Sequence, residues 1–329
     1  MIGSNDKVQI EVYQRERWHF TTLSRIAAFV LVAIVSLLIA MRPVDLDKDY
    51  LNYLEYYNSI LNGTPVGVEF GYKLFSWIFD FFGVGFIGVL YAYAFVALYG
   101  KFKIFQRIKT SRPTEYLFFG VLYFLTFFPL WELTQIRNAA AMAVASLAIL
   151  ETKKSRAVLY FLGAVLLHNV SFMILALWFV QRFFDSVKYL IIFGVVITVY
   201  LGLEFMPYYQ LYAADVYLEK FNPFSLKVLF IVATFVYLQF CSQPLAKKFA
   251  YYSIGLLLFY FSMGRMPAAA VRIADISLYF SVLALSLAHL QFSWAYKLAT
   301  LAALGYVFTS ISYLGESPLI NLGTIFSVG

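Results

Sequence analysis

The chain has 329 residues, of which 62% are hydrophobic and only 13% charged; a soluble domain sits near half apolar and a quarter charged. That balance excludes a water-soluble globular enzyme and points to an integral membrane protein. The net charge of +7 is carried in short basic clusters between apolar runs, the positive-inside pattern, so it does not indicate nucleic acid. The single cysteine, Cys241, cannot close an intramolecular disulfide.

In chain order, the polar leader 1–23 is expected in the cytoplasm. The apolar run from Ser24 to Met41 meets Arg42-Pro43 without a small-x-small cleavage site, so it reads as a retained first span. Residues 42–69 form a polar, acidic, tyrosine-rich loop assigned to the outside. Residues 70–82, FGYKLFSWIFDFF, are too short to cross comfortably and predict an interfacial or partly inserted helix stopped by Gly83. Gly83 to Gly100 then crosses inward to a basic turn, KFKIFQRIKTSR. Glu115 to Trp131 goes out, and Leu133 to Leu150 returns to a second basic turn, ETKKSR.

The next stretch decides the topology. Ala157 to Phe183 is long enough for one span, yet both flanks are basic, with Lys153, Lys154 and Arg156 before it and Arg182 and Lys188 after it. Two short helices turning near His168-Asn169 keep every basic cluster on the cytoplasmic side, so a hairpin is predicted. Tyr189 to Met206 goes out, 207–223 is a second outer loop, Phe224 to Phe240 returns, and Lys247 to Met263 goes out. GRMPAAAVR makes a short outer turn, Ile273 to Leu290 comes in, and Leu298 to Leu314 leaves the tail 315–329 outside. The expected fold is all-α: a polytopic membrane bundle over 24–314 with about 11 crossings (range about 10–12) plus short interfacial or re-entrant helices.

Ionisable side chains placed deep in apolar helices cost a few kcal/mol each and mark functional sites. Arg137 enters an alanine-rich helix near its outer end, against the positive-inside bias. It reads either as a snorkelling arginine paired with Glu132 or a carbonyl, or as a contact for something anionic. His168 sits at the hairpin tip; it reads either as a histidine bonded to a backbone carbonyl or, since an imidazole titrating near neutrality suits the task, as a general base that takes a hydroxyl proton. His19 and His289 lie near the cytoplasmic side and cannot join it, so a histidine-based metal site is disfavoured. Arg265 and Arg272 flank the late outer turn; Arg272 either bridges to Asp275 or, with Arg265, offers planar guanidinium groups to a diphosphate.

Asp45, Asp47 and Asp49 alternate in DLDKDY, but Tyr50 stands where a calcium loop needs glycine. They read as a solvated acidic loop, as metal ligands, or as substrate contacts beside Tyr50 and Tyr53, whose rings could stack on sugars. Glu69 opens the short helix, where the dipole alone favours an acid. Taken together, three arginines, a histidine and several carboxylates at one face describe a polyanion site with a base beside it. No Ser/His/Asp triad, phosphate-cradling glycine loop or zinc signature is present.

The order of these residues resembles the EpsG family of polysaccharide polymerases, related in role to the Wzy O-antigen polymerases. The resemblance spans roughly residues 25–290 and rests on Asp49-Tyr50-x-x-Tyr53, Glu69, Arg137 with its alanines, Lys153-Lys154, His168-Asn169-Val170-Ser171 and Arg272. This chain has Arg137-Asn138 where the family often shows Arg-Gln. The resemblance implies a bacterial inner-membrane enzyme that transfers a growing glycan from undecaprenyl diphosphate to a lipid-linked oligosaccharide repeat on the outer face, without a cofactor. Expected partners are the lipid-linked oligosaccharide, the bilayer and a chain-length regulator protein. It implies His168, Arg137 and Arg272 as catalytic residues, with Asp49, Tyr50, Tyr53, Glu69 and Arg265 as substrate contacts. A lipid-linked oligosaccharide flippase, a membrane O-acyltransferase and a scaffold without chemistry are the alternatives.

Overall fold

In the computed structural model, the described residues are 22–44, 46–47, 49–107, 113–202, 221–240, 243–288, 294–314 and 320. Asp45, Cys241, His19, His289, most of the leader, nearly all of the 207–223 loop and most of the tail lie outside them. Among the described residues the chain is all-helical, with one isolated bridge between Asp47 and Ile320 in place of any strand. Three helical stretches are long and apolar enough to cross a membrane: Phe86–Arg107, Leu117–Thr134 and Pro267–Leu287. Six further apolar helices are shorter, so helix length by itself does not reach the expected number of crossings.

Helix α1 (Thr22–Ala40) runs antiparallel to α4 (Phe86–Arg107), with Phe29 edge-on to Phe95 and Tyr99. The segment between them is not a plain loop. It folds as α2 (Tyr50–Leu61) and α3 (Phe70–Phe81), which places a row of tyrosines against the bundle rather than in solvent. Helix α3 is capped by Phe82 and stops at Gly83, as the sequence predicts, with Gly83 in the left-handed region at φ +69°. The chain then doubles back into α4, with Phe79 seated over Gly88 and Tyr72 against Tyr93.

The basic turn expected from Lys101 onward is instead helical as far as Arg107, and Lys101 is buried. Helix α5 (Pro113–Phe127) continues into a π-helical turn, π1 (Phe128–Thr134). Pro129, which cannot donate the ladder hydrogen bond, stands at its start. The chain breaks at Gln135 and restarts as α6 (Ile136–Leu150), whose alanines let it pack closely on α4. A Cβ at Gly100 would meet that of Ala143 at 2.8 Å, which is why glycine stands there.

The 157–183 stretch divides as the charge pattern predicts. Helices α7 (Lys154–Leu167) and α8 (Ser171–Phe183) are separated by extended backbone at His168, with φ −161° and ψ 129°. Phe161 and Trp178, placed symmetrically about the break, touch at 5.4 Å, so the two helices fold back on each other as a hairpin. Beyond it lie α9 (Lys188–Gly202), α10 (Leu226–Gln239, capped by Ser225), α11 (Pro244–Ser262), α12 (Pro267–Leu287), α13 (Trp294–Thr309) and a final π-turn (Ser310–Leu314). Helices α11 and α12 form the most extensive pair, fastened by the Ser253 hydroxyl donating to the Ser277 carbonyl at 2.7 Å. Because α12 begins at Pro267, a favoured first helical residue, most of the expected outer turn is helix and Arg272 lies in its second turn.

Candidate active site at the hairpin tip

Glu69 is the hub. It precedes α3, and a Cβ on Gly71 would collide with the Leu166 carbonyl at 2.5 Å. The missing side chain at Gly71 lets α3 press against the end of α7, which carries Glu69 to the hairpin tip. One carboxylate oxygen meets His168 Nδ1 at 2.5 Å and the Asn169 amide at 3.4 Å, while the other accepts from an Arg137 terminal nitrogen. Helix α6 delivers Arg137 as its second residue, directly after the Gln135 break.

The protonation states follow from the geometry. Burial pushes the Glu69 carboxyl up, but the His168 hydrogen bond and the Arg137 charge outweigh it and bring it down to about 2. Burial holds His168 below its ordinary value; Glu69 pulls it back up, and the Arg137 and Arg272 charges push it down again. Glu69 is therefore an ionised acceptor and His168 a neutral ring. A carboxylate can only accept, so Nδ1 carries the proton and donates it to Glu69, which leaves the Nε2 lone pair as the basic atom.

Three tyrosine rings surround the Arg137 guanidinium: Tyr53 at 5.5 Å, Tyr56 at 5.6 Å and Tyr72 at 6.0 Å. The Tyr72 hydroxyl donates to the Tyr53 carbonyl at 2.6 Å, tying α2 to α3 behind the arginine. Tyr53 and Tyr72 are buried, and Tyr56 is partly open. Tyr50 is buried too, edge-on to Phe86 and under Arg42. Both tyrosines singled out in the sequence, Tyr50 and Tyr53, thus present a face to an arginine.

Asp49, half-buried at the start of α2, feels Arg272, Arg137 and Arg42 together; burial nevertheless raises its carboxyl above the usual range. The Arg272 charge acts on both Asp49 and His168, which puts the second turn of α12 within electrostatic reach of the same group. Arg272 is exposed, and among the described residues it makes no ion pair. Its expected partner Asp275 is bound by Lys227 of α10 at 2.6 Å. Arg137 likewise pairs with Glu69 and not with Glu132, which holds Lys101. Asp47 is taken up by Arg42 at 2.6 Å, so the acidic run acts as a counterion at that position.

The structure therefore gathers Asp49, Tyr53, Glu69, Arg137, His168 and Arg272. It turns Arg265 toward α9, where the guanidinium lies over Tyr200 at 5.1 Å. Three residues not singled out as site candidates join the group: Arg42, Tyr56 and Tyr72. Arg42 had a legible signal, since it too is an arginine at the outer end of an apolar run, against the positive-inside bias. The cluster is recessed. Tyr93, level with it through Tyr72, stands about 10 Å from the Gly83 end of α4 and about 21 Å from the other, at 1.5 Å per residue.

No curated protein and no solved structure matches the chain. The EpsG family model matches residues 25–320, nearly the whole length, and the chain belongs to the EpsG family.

Proposed function

We propose that this polysaccharide-polymerase-type membrane protein joins lipid-linked oligosaccharide repeats, with the donor glycan carried on undecaprenyl diphosphate and the site facing outward from the inner membrane. The observation that carries the proposal is the Glu69 carboxylate holding a neutral imidazole and a guanidinium side by side, with one oxygen on each. A glycosyl transfer from a diphosphate needs those two groups as neighbours: a base for the incoming hydroxyl and a cation for the departing oxygens.

In the proposed step, the acceptor hydroxyl loses its proton to His168 Nε2 as its oxygen bonds the donor's anomeric carbon. The bond from that carbon to the diphosphate oxygen breaks, and the electron pair leaves with the lipid diphosphate. Arg137 and the exposed Arg272 take up the charge that develops on it. Glu69 fixes the ring's tautomer and stabilises the imidazolium that forms. Asp49 lies across the site, where it can accept from a sugar hydroxyl. Tyr50 and Tyr53 bear on the sugars through the arginines they hold, and the partly open Tyr56 ring is the stacking surface.

The test is to incubate the purified protein with a synthetic undecaprenyl-diphosphate-linked repeat. A ladder of lengthening products supports the proposal; unchanged single repeats with fully inserted protein would overturn it. In cells, loss of the gene should leave single repeats exported, whereas loss of a flippase stops export altogether.

A further inference from the structure

A second buried polar cluster holds residues on either side of Arg137. Lys101 of α4 donates its ammonium protons to the Glu132 carboxylate in π1 and to the Ala139 carbonyl in α6, the latter at 3.3 Å. The Tyr123 hydroxyl donates to the same Glu132 oxygen, and the Lys101 ammonium lies over the Tyr123 ring at 5.2 Å. Glu132 is wholly buried, and its other oxygen has no partner among the described residues. A buried ion pair is a poor stabilising device, because desolvating two charges offsets most of their attraction. Its value must lie in the geometry it imposes.

That geometry brackets Arg137. Glu132 precedes the Gln135 break and Ala139 follows it, so one ammonium group spans the junction from which Arg137 emerges. The break itself is closed by the Gln135 amide donating to the Leu130 carbonyl at 3.0 Å, a five-residue loop instead of the usual four. Each extra residue in a turn rotates everything after it by about 100° around the helix axis. Whether the π-turn holds or relaxes therefore decides which way the arginine points.

We infer that Lys101 is a positioning residue for Arg137: by tying Glu132 and the Ala139 carbonyl to one ammonium group, it locks the π-helical turn and fixes the direction in which the guanidinium leaves α6. The functional consequence rests on Arg137 being the cation that holds the departing diphosphate. Lys101→Met should insert normally, keep KM within about twofold and lose about 100-fold in kcat. The same substitution in an Arg137→Ala background should cost nothing further. Lys101→Met/Glu132→Leu, which removes both charges, should recover abundance without recovering kcat, and it carries the test if the single variant fails to accumulate.

A readout independent of chemistry keeps the two proposals separable. In a Cys241→Ser background, a membrane-impermeant maleimide should label Arg137→Cys, and adding Lys101→Met/Glu132→Leu should slow that labelling about tenfold. Unchanged labelling, full kcat in the Lys101→Met/Glu132→Leu variant, or losses that multiply with Arg137→Ala would each overturn the positioning role. If the parent protein makes no ladder, the polymerase proposal falls, and the labelling still decides the positioning.

Discussion

Two buried glutamates, Glu69 and Glu132, each hold a cation within the same bundle, and they are built for different ends. Glu132 is sealed: its side chain is 0% exposed and that of its Lys101 partner 6%, with Tyr123 closing the third side. Glu69 is nearly as buried at 6%, but its partners Arg137 and His168 are 16% and 22% exposed, so both reach solvent past it. One carboxylate fastens helices, whereas the other presents two chemical groups to whatever enters. Burial alone does not separate the two carboxylates: Glu69 of the proposed site is nearly as buried as Glu132, and the difference lies in what each holds.

The comparison breaks most directly at His168. Replacing it with alanine removes the group that Glu69 orients and should lower ladder formation by about 1,000-fold while the membrane level of the protein stays the same. Next, paired substitutions should separate the two carboxylates. Glu69→Gln should leave thermal unfolding nearly in place and cost about 100-fold in kcat, because the imidazole loses its tautomer lock and its counter-charge. Glu132→Gln should also lower kcat, through the Arg137 that it helps to aim, but unlike Glu69→Gln it should cost stability as well. Leaving Lys101 buried without its partner is expected to cost about 3–5 kcal/mol, visible as lost abundance and a lower Tm in detergent. Equal phenotypes for the two variants would dissolve the distinction.

A smaller effect is the pH profile. The base must be neutral, and burial holds His168 below its ordinary 6.5, so kcat/KM should be flat through neutrality and fall only in acid. Glu69 opposes that depression, so Glu69→Gln should move the acid limb to still lower pH. The same shift has a stability consequence. Below pH 6.5 the unfolded histidine binds a proton that the folded one refuses, so the contribution of His168 to stability is present at neutral pH and lost as pH falls through that window. The smallest effect belongs to Tyr56, the open ring of the cage: Tyr56→Ala should cost a few-fold in activity, in line with about 0.5–1 kcal/mol for a partly exposed cation–π contact.

Much of the architecture was legible because it is written in composition and charge. Membrane residence follows from apolar content, the hairpin at His168 from basic residues on both flanks of one apolar run, and the α3–α4 reversal from Gly83. That Arg137, His168 and Arg272 would come together was legible for a related reason: ionisable groups in such surroundings are too costly to be incidental. The pairings were not legible. Arg137 meets Glu69 from 68 positions away in the chain, and Glu132, its nearest acid in sequence, is claimed by Lys101. Nothing local distinguishes those outcomes, because each depends on close approaches set by Gly71 and Gly100. Lys101 was hidden by its neighbours: a lysine at the head of a basic run resembles a cytoplasmic turn, and only the continuation of α4 to Arg107 carries it inside. The tyrosines of α2 and α3 likewise resemble a solvated loop until those helices fold onto the bundle.

The claim on which the rest depends is that Glu69 binds His168 and Arg137 into one working unit. A double-mutant cycle tests it most directly, measuring ladder formation by purified His168→Ala, Arg137→Ala and the combined variant on the same lipid-diphosphate repeat. Groups acting as a unit should give a combined loss close to that of the worse single variant. Losses that multiply would show two independent sites, and the account would fail.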